Sequence, residues 1–158
     1  MASKKIYIAG PAVFFPDQGA SYYNKVSDLL KAKQVIPLIP IDNKVVGALN
    51  IRNANIDMIK ECDAIIADLS PFRSYEPDCG TAFEVGYAAA LGKQLIVFTS
   101  DLRSMPEKYG STKDSDGLTV EDFSLPFNLM LSDGNPIFGS FEEAFDHFCK
   151  TSLQTPNN

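Results

Sequence analysis

One charged side chain, Glu84, interrupts the chain between Asp78 and Lys93. Around it runs Thr81-Ala82-Phe83-Glu84-Val85-Gly86-Tyr87-Ala88-Ala89-Ala90-Leu91, apolar nearly all round at helical spacing, which predicts a buried helix. A carboxylate near the start of such a helix has two readings. In one, Thr81-x-x-Glu84 is a capping box and Glu84 reaches back to the Thr81 N–H. In the other, Glu84 is an anion held in a cleft and stabilised by the helix dipole. Asp78 precedes it in the loop that enters the helix, where it would favour the dipole in any case. Two carboxylates at one helix entrance could also divide labour, one attacking and one managing protons on the leaving group. Retaining glycoside chemistry works in this way: a carboxylate attacks an anomeric carbon, and a second acceptor releases the covalent glycosyl group.

Other constellations fall away. Ala9-Gly10-Pro11-Ala12-Val13-Phe14 is not G-x-G-x-x-G, so the dinucleotide fingerprint is missing. Gly110-Ser111-Thr112-Lys113 lacks the Gly-Lys-Ser/Thr order of a phosphate loop, and Asp114-Ser115-Asp116-Gly117 reads as a polar turn. The three cysteines, Cys62, Cys79 and Cys149, form no CxxC pair, and His147 is the sole histidine, so neither a disulfide framework nor a zinc site is expected. Phe14 and Phe15 could stack on a flat ligand or pack their loop against the body. Asp68 ends an apolar run at a possible ligand edge, with a cap the commoner use of such a residue. Arg73 could meet an anion but is more simply a surface residue. His147 reads as a surface or partly packed residue, and Cys79 as structural.

These residues need a frame. Short apolar runs at 5–9, 35–39, 64–67 and 94–99 read as strands, and 20–33, 50–61, 81–91 and 140–150 as helices, with Gly92 closing the third. Strand and helix alternate, and the strands are continuously apolar, which predicts an α/β fold: a parallel sheet with helices on both faces. Ligands in such sheets bind outside the carboxyl ends of the strands, here loops 10–17, 40–48 and 68–80. Residues 100–120 are polar and aperiodic, a candidate insertion that could close over the site as a lid. A chain of 158 residues suits one domain, taken as 1–152, with 153–158 as a frayed tail. It is 45% apolar and 22% charged, as a globular protein should be. A net charge of −6 makes a nucleic acid polymer or an anionic membrane a poor default partner. The N-terminal apolar run is too short for a signal peptide, and no stretch approaches the roughly 20 apolar residues of a span. A soluble cytoplasmic protein acting on a small molecule is expected.

Four segments then resemble one family: Lys5-Ile-Tyr7-Ile-Ala-Gly10-Pro11, Asp63-Ala-Ile-Ile-Ala-Asp68, Asp78-Cys-Gly80-Thr-Ala-Phe-Glu84-Val-Gly86-Tyr87-Ala88 and Asn128-Leu-Met130. Together they are similar to the nucleoside 2-deoxyribosyltransferases over residues 4–132, most specifically at 78–88. The resemblance implies a flavodoxin-like (Rossmann-like) sheet and transfer of 2-deoxyribose between nucleobases. It implies 2′-deoxynucleosides and free bases as partners, no cofactor, and a homo-oligomer whose neighbouring subunit completes each site. It places Glu84 as nucleophile, Asp78 as a base-contacting proton relay and Tyr7 beside the nucleophile. Gly10 would shape the sugar pocket, and Asn128 and Met130 would reach across a subunit interface. Where the family often has a second base-contacting aspartate, this chain has Asn55, an amide that cannot take up a proton as a carboxylate does. The family often ends in an aromatic residue, and this chain ends Thr155-Pro156-Asn157-Asn158. Two alternatives share the frame: a 2′-deoxynucleoside 5′-monophosphate N-glycosidase, and a non-catalytic nucleotide-binding module.

Overall fold

Five strands pair in parallel in the order β2-β1-β3-β4-β5 in a computed structural model, which describes residues 3–42 and 44–153. They are β1 (Lys5–Ala9), β2 (Ile36–Leu38), β3 (Ala64–Asp68), β4 (Gln94–Phe98) and β5 (Ile137–Phe138). The helices are α1 (Ala20–Ala32), α2 (Ala48–Glu61), α3 (Cys79–Ala90), α4 (Met105–Tyr109) and α5 (Phe141–Phe148). The π-helical turn Cys149–Leu153 continues α5. Of the tail expected from 153, only Leu153 lies within the described residues.

Strand alternation sends neighbouring side chains to opposite faces. Ile6, Ile8, Ile66, Ile96 and Phe98 pack with Val26 and Leu30 of α1 and with Phe141, Phe145 and Phe148 of α5. Tyr7, Ala9, Ile65, Ala67 and Val97 pack on the other face, against Ile59 of α2 and Val85 and Ala88 of α3. This double coverage is why the strands carry no polar alternation.

The expected helix over 81–91 starts earlier, at Cys79, and is less buried than its composition suggests. Only Thr81, Val85 and Ala88 are buried, and Phe83 is 47% exposed. Its end is as expected. Gly92 has φ 67°, and the Gly92 and Lys93 N–H groups donate to the Ala89 and Ala88 carbonyls.

Three elements were too short to show a period: β5, α4 and the 3-10 turn Leu129–Leu131. The 100–120 segment holds α4, begun by Glu107, which accepts from the Ser104 N–H and hydroxyl, each at 2.7 Å. Met105 and Lys108 are buried, and the Lys108 ammonium donates to the Pro126 carbonyl. Met105, Lys108 and Val120 anchor this segment to the body, and most of 111–119 is exposed.

The loop after β1 is set by two glycines. A Cβ on Gly10 would lie 2.9 Å from Asp68 Cβ, so the ends of β1 and β3 approach only because Gly10 has none. Gly19 stands before α1 with φ 79°, and a Cβ there would lie 2.6 Å from Tyr23 Cε2 and 2.7 Å from the Ala12 carbonyl oxygen. Gly19→Ala combines left-handed strain with a clash against backbone, and we expect a loss of about 2–4 kcal/mol in urea unfolding. An unchanged midpoint and slope would show that the loop accommodates the methyl group.

Candidate active site

Tyr7 occupies the middle of β1, on the face turned toward α3 because Ile6 and Ile8 take the other face. Its side chain is fully buried, and its hydroxyl donates to Glu84 Oε1 at 2.7 Å. Glu84 reaches this position because of how α3 begins. Asp78 is the N-cap, with Oδ2 accepting from the Thr81 N–H at 2.9 Å and the Thr81 hydroxyl at 3.0 Å. The capping box of Thr81 with Glu84 is therefore not formed. Asp78 takes the Thr81 N–H, and Glu84 lies in the second turn, one sheet layer above Tyr7. Gly80 accommodates this cap, since a Cβ there would stand 3.1 Å from Asp78 Oδ2.

Glu84 is mostly enclosed but opens on a cavity of about 170 Å³. Gly10, Val13 and Phe14 from the loop after β1 line it, with Tyr23 of α1, Asn55 of α2, and Asp78, Gly80 and Thr81 at the start of α3. A second hollow of about 310 Å³ shares Asn55, Gly80 and Glu84 and continues between α2 and α3, past Ile51, Arg52 and Phe83. Arg52 stacks its guanidinium over the Phe83 ring at 5.4 Å.

Burial is the largest influence on Glu84 and raises its pKa from 4.5 to about 7. The Tyr7 hydrogen bond favours the anion and limits that rise, while the negative charge of Asp78 adds to it. Tyr7 itself is held far above its ordinary value by burial and by the Glu84 charge, so it remains a neutral donor. The result is a carboxylate that is ionised in part at neutral pH, inside a cavity, with a second carboxylate near. Such a group can attack an electrophilic carbon or exchange a proton.

Of the residues singled out from sequence, Tyr7, Gly10, Phe14, Asn55, Asp78 and Glu84 come together here. Phe14 packs on Phe72, with ring centroids 5.3 Å apart, and Arg73 caps the pair at 5.1 Å from Phe14 and 4.6 Å from Phe72. Arg73 is thus stacked on aromatics at the rim. Phe15 turns to the body, edge-on to Tyr22. Asp68 accepts from the Ser70 N–H at 2.9 Å, backs onto Gly10 and does not line either hollow. Its pKa is raised by burial. Asn128 lies apart, capping the turn Leu129–Leu131: its Oδ1 accepts from the Met130 N–H at 3.0 Å, and its Nδ2 donates to Glu121. Met130 is 79% exposed. Val13, Tyr23 and Thr81 were missed as site residues. Tyr23 has helical spacing with Val26 and Leu30 and so read only as core. Among the described residues, no three His, Cys, Asp or Glu side chains gather to hold a metal ion, and no helix is long and apolar enough to cross a membrane.

Residues 6–130 match the model of the nucleoside 2-deoxyribosyltransferase family. A solved structure described as a 2-deoxyribosyltransferase from Leishmania mexicana is 67% identical, with a TM-score of 0.91 over 95% of this chain and 99% of that one. A 2-deoxyribosyltransferase from Bacillus psychrosaccharolyticus shares the fold, with a TM-score of 0.57 and 22% identity over 90% of this chain and 89% of that one. An uncharacterised protein of Schizosaccharomyces pombe is 31% identical over 156 residues, covering 79% of this chain and 74% of that protein.

The raised pKa of Glu84 has a consequence for stability. The folded protein binds this proton more tightly than the unfolded chain. The stability it contributes is therefore full below pH 4.5 and lost as pH rises through about 7. The loss is on the order of 3 kcal/mol. Glu84→Gln cannot ionise, so it should be more stable than the parent at pH 8 by an amount of that order, and nearly equal at pH 4.5. Urea titrations at the two pH values check this; a constant difference would mean Glu84 is not held near 7.

Proposed function

This chain belongs to the nucleoside 2-deoxyribosyltransferase family and is an enzyme of N-glycosyl transfer, and we propose that it moves 2-deoxyribose between nucleobases through a covalent intermediate on Glu84. The observation that carries this reading is the Tyr7–Glu84 hydrogen bond beneath a cavity that Asp78 also lines. Tyr7 fixes Oε1 and leaves the other carboxylate oxygen for attack.

The steps follow from the groups present. Ionised Glu84 attacks C1′ of a 2′-deoxynucleoside as the C1′–N bond breaks, and the electron pair leaves with the base. Asp78, whose Oδ1 takes no part in the cap, takes up a proton from water and passes it to the departing base nitrogen. The product is a deoxyribosyl ester of Glu84. A nitrogen of the incoming base attacks C1′ from the opposite side, its proton returns through Asp78, and the carboxylate is regenerated. Two inversions give retained configuration. Asn55 lines both hollows and, as an amide, hydrogen-bonds the base without exchanging a proton.

A homo-oligomer is part of the proposal. Phe83 on α3, Leu49 on α2, and Leu129 and Met130 present exposed apolar side chains. Asn128 is held rigidly by Glu121 and by its own turn, outside the Glu84 cavity of its own chain. A second copy covering this surface would receive Asn128 and Met130 at its sugar site.

Purified enzyme with 2′-deoxyinosine and excess adenine should form 2′-deoxyadenosine. Glu84→Ala should lower that rate by at least about a thousandfold, the scale of losing a nucleophile, and a parent protein trapped without acceptor should gain the mass of one deoxyribosyl group. Near-normal exchange by Glu84→Ala would remove Glu84 from the role. Free base released from deoxyguanosine monophosphate without acceptor would instead identify a hydrolase. If the ionised carboxylate attacks, kcat/KM should rise with pH and level off above about 7. A rate falling across that range would assign Glu84 as an acid.

A further inference from the structure

We propose that Tyr23 is a substrate-binding residue whose hydroxyl donates a hydrogen bond to a hydroxyl of the deoxyribose. The inference rests on the Glu84 site reading and goes beyond it. Tyr23 is 3% exposed and lines the Glu84 cavity; the Val13 N–H bears on its phenol oxygen, outside good hydrogen-bond geometry, and its O–H finds no acceptor among the described residues. Buried hydroxyls are rarely left so, and one beside a cavity can be completed by a group that enters it. The ring is fixed rather than free to seek another partner. Gly19 packs against its edge where a Cβ would clash, and Tyr22 lies edge-on at 5.6 Å.

Tyr23 also borders a different hollow, between α1 and the turn Pro40–Asp42. Its hydroxyl lies close to Glu84 and the Val13 N–H, two residues that line the Glu84 cavity with it. Burial first, then the Glu84 charge, pushes Tyr23 up to about 12, so the phenol keeps its proton and acts as a donor. Within the cavity, Asp78 and Asn55 lie at the α2–α3 entrance, where the base is placed. Tyr23, Gly10 and Val13 close the side toward α1. With C1′ over Glu84 and the base toward Asp78, the deoxyribose extends toward Tyr23, and its acceptors there are the 3′ and 5′ hydroxyls.

Tyr22 supplies the control. Its hydroxyl is also buried and unpartnered, but it does not line the cavity. Tyr23→Phe and Tyr22→Phe should both fold with melting temperatures close to the parent, since each deletes a buried hydroxyl whose proton has no acceptor. Base exchange should then separate them: about tenfold lower kcat/KM for Tyr23→Phe, and parental values for Tyr22→Phe. The decisive reading uses 2′,3′-dideoxyinosine and 2′,5′-dideoxyinosine as donors. Removing the hydroxyl that Tyr23 holds should cost the parent about tenfold more than it costs Tyr23→Phe, and which analogue shows this identifies the hydroxyl. Full activity of Tyr23→Phe, or additive losses with both analogues, would overturn the assignment to the sugar. Absence of exchange by the parent protein would instead overturn the underlying reading of the site, and this assignment with it.

Discussion

A hydrogen bond 2.7 Å long, between residues 77 positions apart, is the constraint around which this molecule is arranged. Tyr7 gives Glu84 a hydrogen-bond donor in a place where burial would otherwise keep the carboxyl protonated. For the bond to form, β1 must lie between β2 and β3 with Tyr7 on the α3 face, and α3 must begin at Cys79. The first condition follows from strand alternation, since Ile6 and Ile8 belong to the core under α1 and α5. The second follows from Asp78, which takes the first-turn N–H and hydroxyl of Thr81. The cap and the bond are thus two ends of one device that delivers a carboxylate to a cavity.

The same device sets the electrostatics. Desolvation opposes ionisation, the phenol supports it, and Asp78 opposes it again. The balance falls near neutrality, where a carboxylate is nucleophilic yet not bound so firmly that it cannot form an ester. The arrangement also costs stability at high pH, as catalytic carboxylates in apolar surroundings generally do. Asp78 acts at two levels: one oxygen starts the helix and the other remains for the ligand. Phe14, Phe72 and Arg73 form a stacked rim beside the cavity, so the loop after β1 is held in place by aromatic contact as well as by Gly10.

The frame was readable because its signals are local. Four apolar runs became β1 to β4, and the four helical periods became α1, α2, α3 and α5, with shifts of a few residues at their ends. Where boundaries moved, a cap decided them: Asp78 drew α3 back to Cys79. β5, α4 and the turn after Asn128 were invisible because each is too short for a helical period and lies outside the longer apolar runs. How the 100–120 segment is anchored was not legible, because the buried Lys108 and its partner Pro126 are separated by 18 residues and leave no local pattern.

By itself, the sequence determined the parallel α/β frame, the family resemblance and the pair Asp78 and Glu84, since alternation, helical period and a lone carboxylate in an apolar helix are all written in neighbouring residues. It left the role of Glu84 open between cap and nucleophile, because Thr81-x-x-Glu84 satisfies a capping box as a pattern. Only the tertiary structure decided that Asp78 is the cap and that Glu84 meets Tyr7. It also brought Tyr23, outwardly part of a core stripe, into the lining of the cavity, and set Asp68 and Asn128 outside it. Hydrogen-bond partners distant in sequence, and the direction in which a buried polar atom points, are fixed by packing between elements, which no local pattern encodes.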